Sequence, residues 1–156
     1  MRVFAIDPGF GRCGVAILEK TNGKERVIYS DCIETSPKLS FPERLSAVTK
    51  ECTRLLHEHA PDTLALEKLY FSTNQKTAMQ VAEVRGALIG MAARAGIPVA
   101  EYTPMQVKSA AAGWGGADKQ QVVKMLHALI KIEKKITHDD EYDAIAIGIT
   151  HLASAR

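Results

Sequence analysis

Val3-Phe4-Ala5-Ile6-Asp7-Pro8-Gly9-Phe10-Gly11-Arg12-Cys13-Gly14 is the stretch on which the rest of the chain depends. An apolar run ends on a carboxylate, a glycine-rich turn follows, and a second apolar run, Val15 to Leu18, carries the chain onward. A carboxylate in a buried strand is costly, on the order of several kcal/mol, unless a cation or strong hydrogen bonds compensate it. The glycines beside it leave room for a phosphate or another backbone to come close. Strand, acid, glycine turn and strand together point to a carboxylate that holds a metal ion near phosphate, and that reading needs partners elsewhere in the chain.

Working outward, Arg2 to Asp7, Arg12 to Glu19 and Arg26 to Glu34 are predicted strands, with Thr21-Asn22-Gly23-Lys24 turning the second into the third as a hairpin. Ser40-Phe41-Pro42-Glu43 is a capping-box pattern that opens a helix over 42–59. Asp62 to Glu67 is a short apolar strand that ends, like the first, on an acid. Asn74 is placed to cap a long helix running to about Ala95, where Gly96-Ile97-Pro98 stops it before a fifth strand, Pro98 to Tyr102. Thr103-Pro104-Met105-Gln106 repeats the capping signature for a short helix that Gly113-Trp114-Gly115-Gly116 breaks. Asp118 opens a helix to about Ile132, and a last helix, Asp139 to Ala153, is apolar on most sides and expected to be largely buried. The alternation is that of an α/β protein, and 156 residues suit one domain over 1–156.

No run of about 18 apolar residues is available to span a bilayer, and the N-terminus lacks the pattern of a signal peptide. Cys13, Cys32 and Cys52 are odd in number and widely spaced, as reduced thiols of a cytoplasmic protein are. The net charge of +2 hides an uneven distribution. Residues 68–136 carry 10 basic and 4 acidic side chains, whereas residues 137–156 carry 1 and 4. A basic middle beside an acidic end fits a protein that grips a polyanion with one surface and holds cations in another.

Asp140 and Asp143 are three residues apart, so in a helix they share one face, at an end where backbone N–H groups favour negative charge. Asp139, Asp140 and Glu141 by themselves read as a solvated first turn, but Asp143 leads straight into the apolar part of the helix and is expected to point inward. Asp7, Glu67, Asp140 and Asp143 then offer oxygen ligands from two strand ends and one helix start, a set suited to Mg²⁺ or Mn²⁺. Two such ions, about 3.5–4 Å apart, activate water and stabilise the leaving oxygen of a phosphodiester, which makes the expected reaction metal-dependent phosphodiester hydrolysis.

The order and spacing of these segments resemble the RuvC family of bacterial Holliday junction resolvases over essentially the whole length. The resemblance runs through Asp7-Pro8-Gly9, Leu66-Glu67 with aromatics after it, Tyr102 to Lys108, Gly113 to Gln121 and Asp140 to His151. It implies a ribonuclease H-like (retroviral integrase superfamily) fold, a five-stranded mixed sheet flanked by helices, in a homodimer that nicks two strands of like polarity in four-way junction DNA. Asp7, Glu67, Asp140 and Asp143 match the family's metal-binding acids. Lys108 and Lys119 match basic positions that contact the junction. Tyr70 matches an aromatic that stacks where strands exchange; the usual residue there is phenylalanine, and Phe71 next to it is an alternative. His138 and Asp139 compete with Asp140 for the third acid position. Docking with the RuvA and RuvB branch-migration proteins is left open. Trp114 reads either as a stacking residue or as a core aromatic. The surplus of apolar positions from Met79 to Met91 on the long helix is expected to form the dimer interface. Three other readings remain, an ATPase of the actin and sugar-kinase type, a non-catalytic junction-binding protein on the same fold, and a ribonuclease H-like nuclease acting on RNA–DNA hybrids.

Overall fold

Alternation along the first strand decides the layering. In β1 (Arg2–Asp7) every residue from Val3 to Ile6 is fully buried, and successive side chains enter opposite cores. Phe4 and Ile6 join one cluster, whereas Val3 and Ala5 join the other. The computed structural model describes residues 1–69 and 75–155, with only the backbone described for Gln75 and Lys76. Tyr70, Phe71 and the expected cap Asn74 lie outside the described residues.

β1 sits in the middle of a five-stranded sheet in the order β3-β2-β1-β4-β5. β2 (Arg12–Thr21) and β3 (Lys24–Glu34) are antiparallel neighbours on one side. On the other side β4 (Thr63–Glu67) pairs parallel to β1 and β5 (Val99–Tyr102) pairs parallel to β4. Asn22 and Gly23 both have positive φ, 52° and 74°, the conformation of the tight turns that match strand twist. That turn lets β2 and β3 run farther toward each other than Glu19 and Arg26, the expected ends.

α1 (Phe41–His59) and α2 (Gln75–Arg94) cover the face that carries Phe4, Ile6, Val15 and Ile17. α3 (Pro104–Ala112), α4 (Lys119–Leu129) and α5 (Asp139–Ser154) cover the face that carries Val3, Ala5, Ala16 and Ala65. The small side chains on that second face let α5 lie close to the sheet. The capping boxes at Ser40, Thr103 and Asp118 form as their sequences require, each satisfying orphan N–H groups at a helix start. α4 ends at Leu129, three residues before the expected Ile132. Ile130 turns extended, with φ −140° and ψ 141°, and its buried side chain joins the core, which takes the backbone out of the helix. α5 is buried along most of its length, with Ala144 to Leu152 inside. No helix among the described residues is long and apolar enough to cross a membrane.

Candidate active site

Two acids come together because two parallel strands share a register. Ile6 pairs with Leu66, so Asp7 and Glu67 end adjacent strands side by side. Both have the strand parity of Ala5 and Ala65, which lie on the α5 face. Asp7 also pairs with Gly14 of β2. A β-carbon at Gly14 would stand 1.8 Å from the Asp140 carbonyl oxygen and 2.4 Å from its carbon, so only glycine lets the first turn of α5 sit against the sheet here. The space beside Asp7 is thus filled by the chain's own backbone. Gly9 does the same on a smaller scale, since a β-carbon there would meet the Arg12 carbonyl oxygen at 1.9 Å.

The electrostatics mark this corner as a concentration of negative charge. The Asp7 carboxyl is held well above the usual carboxylate range, first by burial and then by Asp143, Glu67 and Asp140. Glu67 is also raised, by burial and by Asp143, with Lys108 and Arg85 opposing. Burial raises Asp143, which Lys119 partly offsets. Lys119 Nζ stands 3.6 Å from Asp143 Oδ2 and 3.5 Å from Asp139 Oδ2. Asp143 in turn is the main reason that the Lys119 ammonium is held above its ordinary range. Lys108, Lys119, Glu67 and Asp143 line one cavity of about 220 Å³ together with Pro104, Val107, Val122 and Ala146.

The acidic start of α5 divides its side chains by task. His138 precedes the helix and turns to Glu34, with Nε2 to Oε1 at 3.1 Å. Asp139 is exposed. Asp140 Oδ2 lies 3.1 Å from Arg12 Nε, yet that buried oxygen accepts no hydrogen bond. Asp143 points toward the cavity, as its place in the sequence predicts. Glu141 departs from the sequence reading: it is only 4% exposed, accepts a hydrogen bond from Ser30 Oγ at 2.6 Å and pairs with Lys134 Nζ at 2.8 Å. Glu141 lies four residues before Ile145 and seven before Gly148, a spacing that signals the buried face. Arg12 has no comparable local signal, because its partner is 128 positions away.

Oxygen-only donors, a carboxyl cluster under mutual repulsion and a buried, unbonded Asp140 Oδ2 suit a hard divalent cation. Among the described residues no three histidine, cysteine, aspartate or glutamate side chains are placed to grip one ion together, and Lys119 and Arg12 supply the positive charge beside the acids. A larger groove, about 550 Å³, lies between Arg26–Ser30 and Lys131–Lys134, away from these acids. The smaller cavity is the better candidate for chemistry, because only there do carboxyls with raised pKa meet lysines.

Other expectations change on this frame. Trp114 is 57% exposed, which rules out a core role. On α2, Val84, Leu88 and Met91 are core residues, whereas Met79 is 74% exposed and Val81 and Ile89 are half-buried.

The family model described as crossover junction endodeoxyribonuclease RuvC matches residues 3–151. A protein of that name from Syntrophomonas wolfei is 40% identical over 156 residues, covering 100% of this chain and 91% of the relative. The solved Thermus thermophilus RuvC superposes with a TM-score of 0.88 at 33% identity, covering 100% of this chain and 96% of that one. The same protein in complex with Holliday junction substrate gives 0.91 at 33% identity, covering 100% and 95%. The yeast mitochondrial Holliday junction resolvase Ydc2, at 16% identity and a TM-score of 0.70 over 95% of this chain and 76% of that one, shares the fold.

Proposed function

Because the chain belongs to the RuvC family of crossover junction endodeoxyribonucleases, we propose that it resolves four-way DNA junctions by paired, metal-dependent nicks in strands of like polarity. The observation that supports this reading is the electrostatic cluster of Asp7 with Glu67, Asp140 and Asp143, of which Glu67 and Asp143 line a cavity with two lysines. We assign cation binding to Asp7, Glu67, Asp140 and Asp143. For the third position Asp140 is favoured over Asp139 and His138, because Asp140 acts on Asp7 electrostatically while His138 faces Glu34. Mg²⁺ or Mn²⁺, two ions per site, would polarise the phosphodiester and generate a nucleophilic hydroxide there.

The chain's own residues do the rest. Asp7, buried at its strand end and coupled to Glu67 and the α5 acids, would hold the cation together with them. Lys119, now paired with Asp143 and Asp139, would hold a phosphate oxygen, and Lys108, which lines the same cavity, would hold the DNA backbone beside it. Such contacts position DNA without reading sequence. Tyr70 or Phe71 stacks at the exchange point. The enzyme acts as a cytoplasmic homodimer in recombination and repair, with RuvA and RuvB as candidate partners. The phosphate-loop ATPase reading loses its basis, since the chain's own backbone fills the clearance at Gly9 and Gly14.

The deciding experiment offers a four-way junction, a linear duplex and an RNA–DNA hybrid in Mg²⁺. The expected result is symmetric nicking of the junction alone. Asp7→Asn and Glu67→Gln should each abolish cutting while leaving junction binding in a gel shift without metal largely intact. Equal cutting of all three substrates would remove the resolvase assignment.

A further inference from the structure

The turn between α3 and α4 carries a side chain that neither the core nor the acid site uses. Trp114 is 57% exposed, and Met105 beside this turn is 69% exposed. Single exposed apolar residues are ordinary on protein surfaces. This one is held in place. A β-carbon at Gly116 would fall 2.2 Å from Trp114 Cζ3, 2.8 Å from Cε3 and 2.9 Å from Cη2, so the six-membered half of the indole lies against backbone that only glycine can offer. Part of the six-membered ring is backed by protein while more than half of the residue remains open to solvent.

The segment beneath it is anchored at both ends. Gly113 closes α3 with φ 83° and donates its N–H to Ser109 at 2.9 Å. Gly115 packs so closely on α3 that a β-carbon there would lie 2.7 Å from Met105 Cγ. Ala117 is 1% exposed in the core, and Asp118 caps α4 by accepting from the Gln121 N–H at 2.8 Å. The bridge therefore joins two fixed helices, and those helices present Lys108 and Lys119 to the cavity that holds Glu67 and Asp143.

An exposed indole on the bridge that joins the helices bearing Lys108 and Lys119 suits a ligand with both a polyanionic backbone and planar apolar faces. Nucleic acid has that combination, and stacking on an aromatic side chain tolerates any base. We propose that Trp114 is a stacking platform for a nucleobase left uncovered beside the branch point of a junction. Paired bases inside a duplex have both faces covered and do not offer this contact. The inference rests on the junction-cleaving reading, and it adds a base contact on the α3–α4 bridge, separate from the aromatics that follow Glu67.

The chain has one tryptophan, so its emission reports this residue alone. Titrating the full-length protein with an immobile four-way junction in chelator should quench that emission by about half, whereas a linear duplex of the same arms should quench it far less. Trp114→Ala should weaken junction binding roughly tenfold and Trp114→Phe should recover most of the loss, with duplex binding unchanged in both. Circular dichroism confirms that the variants fold. Unquenched emission in a bound junction, equal quenching by duplex, or full affinity in Trp114→Ala would each overturn the platform. If the wild type still cuts junctions in those cases, the nuclease reading stands; if it neither binds nor cuts them, both readings fall.

Discussion

Asp7 carries an electrostatic cost that its position explains. Burial and three acidic neighbours raise its folded-state pKa, and Glu67 and Asp143 are raised as well. A carboxyl whose pKa is higher folded than unfolded binds its proton more tightly in the folded state. Its stabilising contribution is complete below the unfolded value, about 4, and is lost as pH rises through the raised value. In chelator, thermal melts of the wild type should therefore lose stability toward neutral pH. Asp7→Asn should melt about 3 °C or more above the wild type at pH 7.5, with a smaller gain near pH 5. An identical offset at both pH values would contradict this. Glu141 is buried too, but Ser30 donates a hydrogen bond to it and Lys134 pairs with it. The spacing from Ile145 could have exposed that burial, but the neighbouring Asp139 and Asp140 made the turn read as solvated.

At the scale of elements, the decisive event is the meeting of β2 with the first turn of α5. Gly14→Ala drives a β-carbon into the Asp140 backbone, which cannot yield without moving the helix. Gly148→Ala, farther along α5, meets the end of the Leu18 side chain, with Cδ1 at 2.4 Å, and a rotamer change can relieve it. Urea denaturation should show a loss of about 3 kcal/mol for Gly14→Ala and about 1 kcal/mol for Gly148→Ala. Only the first should also lose cleavage, because it separates Asp140 from Asp7. Comparable losses of stability and activity in the two would refute the distinction. The capping boxes and the Asn22-Gly23 turn were legible in advance, each depending on residues within about four positions. The end of α4 was not, since it is set by where Ile130 finds the core.

Across the whole molecule, the outward side of α2 is the expected dimer surface. Burial of Val84, Leu88 and Met91 in the core under α1 and the sheet leaves Met79 exposed near the start of α2, with Ala82 and Gly86 also exposed and Val81 and Ile89 half-buried. Sedimentation at micromolar concentration should show a dimer for the wild type and a monomer for Met79→Lys, whose junction cutting should fall from paired to single nicks. A wild-type monomer would remove this surface from the proposal.

The order of strands and helices, the starts of α1, α3, α4 and α5 and the basic middle followed from the sequence alone, because hydrophobic alternation, capping and charge are local or cumulative properties. Tertiary structure alone decided that Gly14 accommodates Asp140, that Arg12 stands beside that carboxylate, that Lys134 reaches Glu141 and that Trp114 faces solvent. Three of these depend on residues seven to 128 positions apart meeting through strand register and helix placement, and the exposure of Trp114 depends on how the bridge packs. No local pattern specifies either.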